Sequence, residues 1–343
     1  MKKTLIAASI AALATTSANA AVKLYESETG SFSSYGKVQL ELENYDGENT
    51  IQNQGSRLGF SGEKKLENGL TAFTNFEFRF QPGVQNDITE GGDDGGEWTT
   101  RNSYLGVKGD FGSVKAGNFD SITYSMVTGQ ADIMENEGYR SLDTGSVNSR
   151  GTAIAYETND LAGFKIGLGI KHYASDESAY GPRAAGNEKL TSNNGDEVWN
   201  IQLGATYQLN DELSFGLAFD QNNEDGNPGV GVAGDADPII AASVNYATDA
   251  FGAGLVLENS GDYMVANLTG SVNYGAGDVY ALVSFADNDV DTGVDFGLGA
   301  NYKLAKTFHV YGEVAVGNDD VSEIQDSKDK GTTAVTLGAA YKW

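Results

Sequence analysis

Residues 129–141 read GQADIMENEGYRS and crowd three carboxylates, Asp132, Glu135 and Glu137, into one short stretch. Carboxylates at that density serve as acid–base pairs, as ligands for hard cations, or as fixed charges that set a local field. Acid–base or nucleophilic catalysis is not supported. The two histidines, His172 and His309, stand far apart and near no serine motif, whereas a nucleophile needs its base within hydrogen-bond reach. No enzyme is expected. Gly229-Val230-Gly231-Val232-Ala233-Gly234 spells G-x-G-x-x-G, but it follows Asn227-Pro228 and no helix pattern follows it, so the strand–helix context of a phosphate cradle is missing. Asp287-Asn288-Asp289-Val290-Asp291 begins like a calcium loop. Thr292 then stands where that loop needs glycine, and Leu298 where it needs glutamate. Acidic loops leave loose divalent-cation binding as the most to expect. Cysteine is absent, which excludes disulfides and thiolate metal centres. No cofactor is expected.

The elements around these acids follow a period of two. Phe164, Ile166, Leu168 and Ile170 alternate with Lys165, Gly167, Gly169 and Lys171; Leu213, Phe215, Leu217 and Phe219 alternate with Ser214, Gly216, Ala218 and Asp220. Each such run is a strand with one apolar and one polar face. Sixteen segments of this kind start near Phe32, Gly55, Gly69, Glu97, Ser113, Arg150, Gly163, Asp196, Glu212, Pro238, Phe251, Tyr263, Asp278, Thr292, Thr307 and Gly331. Several exceed the five or six residues usual in soluble sheets and approach the ten or so of a tilted membrane strand. Tight turns such as Glu67-Asn68-Gly69 and Asp110-Phe111-Gly112 alternate with long connections, 47–54, 82–96, 122–149, 175–195, 221–237 and 318–330. Short turns at one end and long loops at the other describe a membrane barrel. Sixteen strands leave an aqueous lumen, where smaller barrels fill with side chains. Lys37, Gln39 and Glu41 share one face opposite Val38, Leu40 and Leu42. In a barrel of this kind the polar set faces the lumen and the apolar set faces lipid.

The chain ends fit that reading. Met1-Lys2-Lys3, an apolar run from Leu5 to Leu13 and Ala18-Asn19-Ala20 have the pattern of a secretory signal peptide over residues 1–20. The mature chain, a single domain over 21–343, is expected to begin at Ala21. The formal charge of −26 becomes −28 once Lys2 and Lys3 leave. A surface so acidic repels nucleic acid. Aromatics gather near strand ends, among them Tyr156, Phe164, Tyr246, Phe251, Tyr274, Tyr302 and Phe308, as in the girdles of a membrane interface.

Three stretches then carry a family resemblance: Ser56-Arg57-Leu58-Gly59-Phe60-Ser61-Gly62-Glu63, Thr100-Arg101-Asn102-Ser103-Tyr104-Leu105-Gly106-Val107-Lys108-Gly109 and Phe111-Gly112-Ser113-Val114-Lys115-Ala116-Gly117. They resemble strands two, four and five of the general trimeric porins of Gram-negative bacteria, gamma-proteobacterial type. The resemblance implies an all-β, 16-stranded antiparallel transmembrane barrel whose third loop folds inward and narrows the lumen. It implies a passive channel for ions and small hydrophilic solutes, with wall arginines facing loop carboxylates. Arg57, Arg101 and Arg150 take the wall positions. Asp132 matches one loop acid. The family's Pro-Glu-Phe-Gly turn is rewritten as Glu135-Asn136-Glu137-Gly138, so the second acid is Glu135 or Glu137. Asn118 stands where the family often has another arginine. Arg57 falls on a polar face with Gly59, Ser61 and Glu63. Arg101 shares its parity with Leu105 and Val107 as well as Ser103, as a strand apolar on both faces near a trimer contact would. Tyr341 and Trp343 resemble the terminal aromatic signal read by the outer-membrane assembly machinery. The same resemblance implies a homotrimer in contact with outer-membrane lipid and lipopolysaccharide. The outer loops and the missing arginine lead to an expected weak preference for cations. A substrate-specific porin, and an adhesin or phage receptor acting through the long loops, are the alternatives.

Overall fold

The structure, a computed structural model, describes residues 21–53, 55–81, 97–136, 140–142, 150–173, 198–221, 237–289, 291–318 and 333–343. Residues 1–20 and most of the long connections lie outside them. Among the described residues the alternating runs form β1 (Val22–Ser27), β2 (Gly30–Tyr45), β3 (Glu48–Gln52), β4 (Arg57–Lys65), β5 (Thr71–Gln81), β6 (Glu97–Gly109), β7 (Gly112–Asp120), β8 (Arg150–Glu157) and β9 (Phe164–Tyr173). The second half supplies β10 (Val198–Gln208), β11 (Leu213–Asp220), β12 (Ile239–Ala247), β13 (Phe251–Ser260), β14 (Tyr263–Asn273), β15 (Asp278–Asp287), β16 (Thr292–Ala305), β17 (Phe308–Asn318) and β18 (Thr333–Lys342).

From β4 to β18 each strand pairs antiparallel with the next. β18 then pairs with β2 from Tyr45 to Lys37 and closes the ring. Two staves are composite. β3 and β4 lie in line along one edge of β2. β18 and β1 lie in line along its other edge, where Trp343 and Gly36 exchange both backbone hydrogen bonds (3.0 and 3.1 Å) and Val22 follows opposite Ser34. The barrel therefore has sixteen staves, one of them built from both ends of the chain. Closure removes every unpaired edge, which a lipid solvent demands.

Burial is inside out. Gln39 and Glu41 are 1% and 2% exposed, while Leu40 between them is 53% exposed. The same inversion runs along β10, where Gln202 is buried and Ile201 and Leu203 are exposed, and along β13, where Glu258 is buried and Leu255 and Leu257 are exposed. A soluble protein does not present so continuous an apolar belt. At the short-turn end, Phe164 stacks on Tyr207 at 4.2 Å and Tyr246 meets Phe251 at 5.6 Å, forming an aromatic girdle beside the belt. The turns use the backbone freedom that their letters promise: Asn68 and Gly69 take φ 67° and 77°.

After β7 the chain turns into the lumen. Helix α1 (Ile122–Met126) opens on Ser121, whose side chain accepts from the backbone N–H of Tyr124. A single 3₁₀ turn, Thr128–Gln130, follows. Ile122, Met126 and Val127 are buried against the wall. The wall makes room for them with glycine. A Cβ on Gly204 would lie 2.7 Å from Ile122 Cγ2 and Met126 Sδ, and one on Gly167 would lie 2.7 Å from Met126 Cε. The glycines that alternate along the polar faces are thus the hollows into which the loop docks. Burying the three side chains contributes about 1.5–3 kcal/mol each.

Candidate functional site

The docked loop leaves a gap toward β2, β4, β5 and β6, and charged side chains line both sides. On the wall, Glu77 of β5 is 4% exposed. Arg101 of β6 holds its Oε1 at 2.5 Å, and Arg57 of β4 stands 3.9 Å from the same atom. Arg79 lies opposite Arg57 in register. A β-bulge explains how Arg101 reaches this face. Glu77 pairs with Asn102 and Phe78 with Thr100, so Arg101 is the extra residue on β6. Two adjacent residues of a bulge point the same way. Arg101 therefore joins Asn102 on the lumen side while Leu105 stays exposed outside. The shared parity with Leu105 needs no two-sided apolar strand.

On the loop, Asp132 accepts a 2.8 Å hydrogen bond from the Tyr124 hydroxyl. Burial raises its carboxyl above the usual range, against the opposing pull of Tyr124, Arg101 and Arg57. The Tyr124 hydroxyl is pushed up in turn, by burial and by the Asp132 charge. Glu135 behaves in the opposite way. Burial alone would raise it, but Lys37 of β2 at 3.3 Å and His309 of β17 at 3.7 Å hold it well below the usual carboxylate range. Lys342 of β18 adds to that attraction.

The wall also grips the loop backbone. Glu313 of β17 accepts from the N–H groups of Glu135 (2.8 Å) and Asn136 (3.0 Å) and from the Tyr280 hydroxyl (2.6 Å). Asn136 donates to Glu43 and Thr336. Further along, Arg140 is fully buried and its Nε meets Asp295 of β16 at 2.7 Å, while Asn267 of β14 donates to its carbonyl. Glu258 of β13 accepts from Ser141 Oγ and the Leu142 N–H at 2.9 and 2.8 Å. These bonds partner the backbone N–H groups of Glu135, Asn136 and Leu142 and the carbonyl of Arg140.

Of the residues singled out from sequence, Arg57, Arg101, Asp132 and Glu135 line this gap. Both arginines reach the wall acid Glu77, Arg101 is also drawn to Asp120, and the loop acid Glu135 meets Lys37. Arg150 opens β8 opposite Asp120, and its side chain lies outside the described residues. So does Glu137. Asn118 alternates with the inward Lys115 and Phe119 and donates to the Arg101 carbonyl at 3.3 Å, so its neutrality takes no charge from the lumen. Tyr341 lies on the exposed face of β18, 6.4 Å from the Trp343 ring. The sequence reading missed Lys37, Glu77, Arg140, His309, Glu313 and Lys342 as site residues. Parity on the polar faces was the signal for Lys37 and Glu77. At the incipient calcium-like loop, Asp287 Oδ1 and Asn288 Oδ1 are taken by the backbone N–H groups of Asp289 and Asp291. Those oxygens build the turn.

With that geometry in view, the chain can be set beside known proteins. A monosaccharide porin of Halomonas sp. is 26% identical over 311 residues, 85% of this chain and 81% of its own length. The major outer membrane protein P.IB of Neisseria lactamica is 26% identical over 373 residues, covering 100% of both. The structure of Salmonella typhi OmpF in complex with daunomycin superposes with a TM-score of 0.70 at 15% identity, covering 94% of this chain and 100% of the other. It shares the closed 16-stranded antiparallel barrel. The family model for Gram-negative porins matches residues 7–343. The protein is an outer-membrane barrel and belongs to the Gram-negative porin family.

Proposed function

We propose that this porin is a passive, water-filled diffusion channel for ions and small hydrophilic solutes, weakly cation-preferring, with its constriction at the gap between the inner loop and β2–β6. The observation that carries this reading is the facing of charges across the gap. Asp132 and Glu135 stand on the loop; Lys37, Arg57 and Arg101 stand on the wall, with Glu77 set among the arginines. Fixed charges of opposite sign create a transverse field that orients dipolar solutes and sets ion preference. Because Glu77 offsets the arginines and the outer loops are acidic, cations are favoured. Reversal potential across a KCl gradient tests this: a modest cation preference that shrinks as salt screens the charges is expected. A clear anion preference refutes it.

Acidification should discharge the loop in order. Asp132, raised by burial, loses its charge above the ordinary carboxylate range; Glu135, held down by Lys37 and His309, keeps its charge to lower pH. The Glu135 contribution to loop docking is present above the unfolded pKa of glutamate and is lost as pH falls through its folded value. The Asp132 charge opposes docking, so its protonation favours docking. Of these two loop acids Asp132 should discharge first, lowering cation preference, and Asp132→Asn should lack that carboxylate step in a pH series of reversal potentials.

Trimer assembly, contact with lipid and lipopolysaccharide, recognition of Tyr341 and Trp343 by the assembly machinery, and cleavage before Ala21 complete the proposal. N-terminal sequencing of the purified protein checks the last of these. One observation favours a second reading, a saturable solute site. Phe73, Tyr104 and Phe119 form an edge-to-face row on the lumen wall at 6.3 and 5.8 Å, with Lys115 over Tyr104 and Phe119. The relative named as a monosaccharide porin points the same way. Concentration-dependent block of single-channel current by a neutral sugar would favour it over free diffusion.

A further inference from the structure

We propose that His309 is a specificity-determining residue of the channel, its protonated imidazole lowering the preference for cations. The inference rests on the reading of the loop–wall gap as the constriction. His309 lies on the inward face of β17, and its Nε2 stands 3.7 Å from Oε1 of Glu135 while Lys37 stands 3.3 Å from Oε2. The carboxylate at the loop tip is therefore shared between a lysine and a histidine. Histidine is the side chain that ordinarily changes charge between about pH 5 and 8.

The surroundings offer the imidazole both signs. From β16, Lys303 is opposite His309 in register and is itself paired with Asp278 of β15 at 2.9 Å. From β18, Ala340 is opposite it and Lys342 follows two residues on. From β2 come Lys37 and, beyond it, Gln39 and Glu41, which the Tyr311 hydroxyl joins. On its own strand Tyr311 lies 5.9 Å away between ring centroids, and Glu313 holds the loop backbone. The loop contributes Glu135. Lys37, Lys303 and Lys342 bring basic side chains to β2, β16 and β18, so protonating His309 extends a basic arc that Glu135 faces from the loop. Deprotonated, His309 interrupts that arc and leaves Glu135 offset mainly by Lys37. On the constriction reading the ion path passes beside this carboxylate, where one added unit charge is felt in a water-filled lumen and is damped by salt.

The experiment is the reversal potential in a planar bilayer under a KCl gradient at low ionic strength, taken across about pH 8 to 5 with the Lys37→Arg/Asp132→Asn variant as the parent protein, so that His309 is the group whose charge is read. The cation-to-anion permeability ratio of the parent protein should fall by roughly two- to four-fold in this window. His309→Gln should hold the high-pH ratio throughout, with unchanged conductance at pH 8 showing an intact barrel. His309→Arg should sit at the low ratio already at pH 8. A fall that persists in His309→Gln, no fall in the parent protein, or a parent-like ratio in His309→Arg at pH 8 overturns the assignment. Glu135→Gln separates the two readings. It should lower cation preference at every pH and keep the histidine step; if it leaves selectivity unmoved throughout, the constriction reading itself fails.

Discussion

Arg101→Ala is expected to raise the cation-to-anion permeability ratio by roughly two- to five-fold, the largest single-residue effect on selectivity in the channel. Arg101 is the near partner of Glu77, at 2.5 Å, and its removal leaves a 4% exposed carboxylate with the more distant Arg57 and the Tyr35 hydroxyl. The wall loses a positive charge and uncovers a negative one in the same place. Arg57→Ala should do less, because Arg57 stands 3.9 Å from Glu77 and is the more exposed of the two. Breaking a buried pair from one side also destabilises, by about 3 kcal/mol, read as a lower unfolding temperature of the folded barrel in detergent. The double variant Glu77→Gln/Arg101→Ala discriminates the charge argument from simple widening. It removes one charge of each sign, so selectivity should return near the parent value while conductance stays raised. If the single and double variants share one selectivity, the Glu77 charge has no part in the preference.

Much of the barrel was legible because a membrane strand repeats every two residues and a lumen makes both faces informative. All sixteen segment starts fall within three residues of an observed strand start. What escaped was short or split. Glu48-Asn49-Thr50 is polar and reads as loop, yet it pairs tightly back onto β2 through Tyr45↔Glu48. Val22–Ser27 completes a stave begun by the far end of the chain, a juxtaposition invisible to any local window. The site shows the same divide. Lys37 was readable from parity alone. Arg101 was not, because a bulge inserts one residue and inverts parity from that point, and no letter in Thr100-Arg101-Asn102 announces it. In sequence the glycines of β9–β11 mark only a polar face; in the fold they are the seat of Ile122 and Met126. The anchoring acids Glu258 and Glu313 are indistinguishable in sequence from carboxylates that face only water. Their role appears once the loop backbone lies against them.

Those anchors set the last large effect. Glu313→Ala should loosen the loop tip and turn a quiet open channel into one with frequent current fluctuations. The carboxylate accepts two consecutive backbone N–H groups, of Glu135 and Asn136, and the Tyr280 hydroxyl. Alanine leaves these donors without their acceptor, at about 1–3 kcal/mol for each that stays buried. That is enough to favour a displaced tip, in which the donors reach water and Glu135 leaves Lys37. Glu313→Gln keeps one carbonyl acceptor and should fall between the two. Glu258→Ala removes the equivalent grip on Ser141 and Leu142, but Arg140 bound to Asp295 holds that side as well, so its fluctuations should be fewer. The comparison turns on position: the tip carries Glu135, and on the constriction reading its release moves a charge that ions meet. Noise and selectivity in Glu313→Ala equal to those of the parent protein would mean that the apolar seat of Ile122, Met126 and Val127 holds the whole loop unaided.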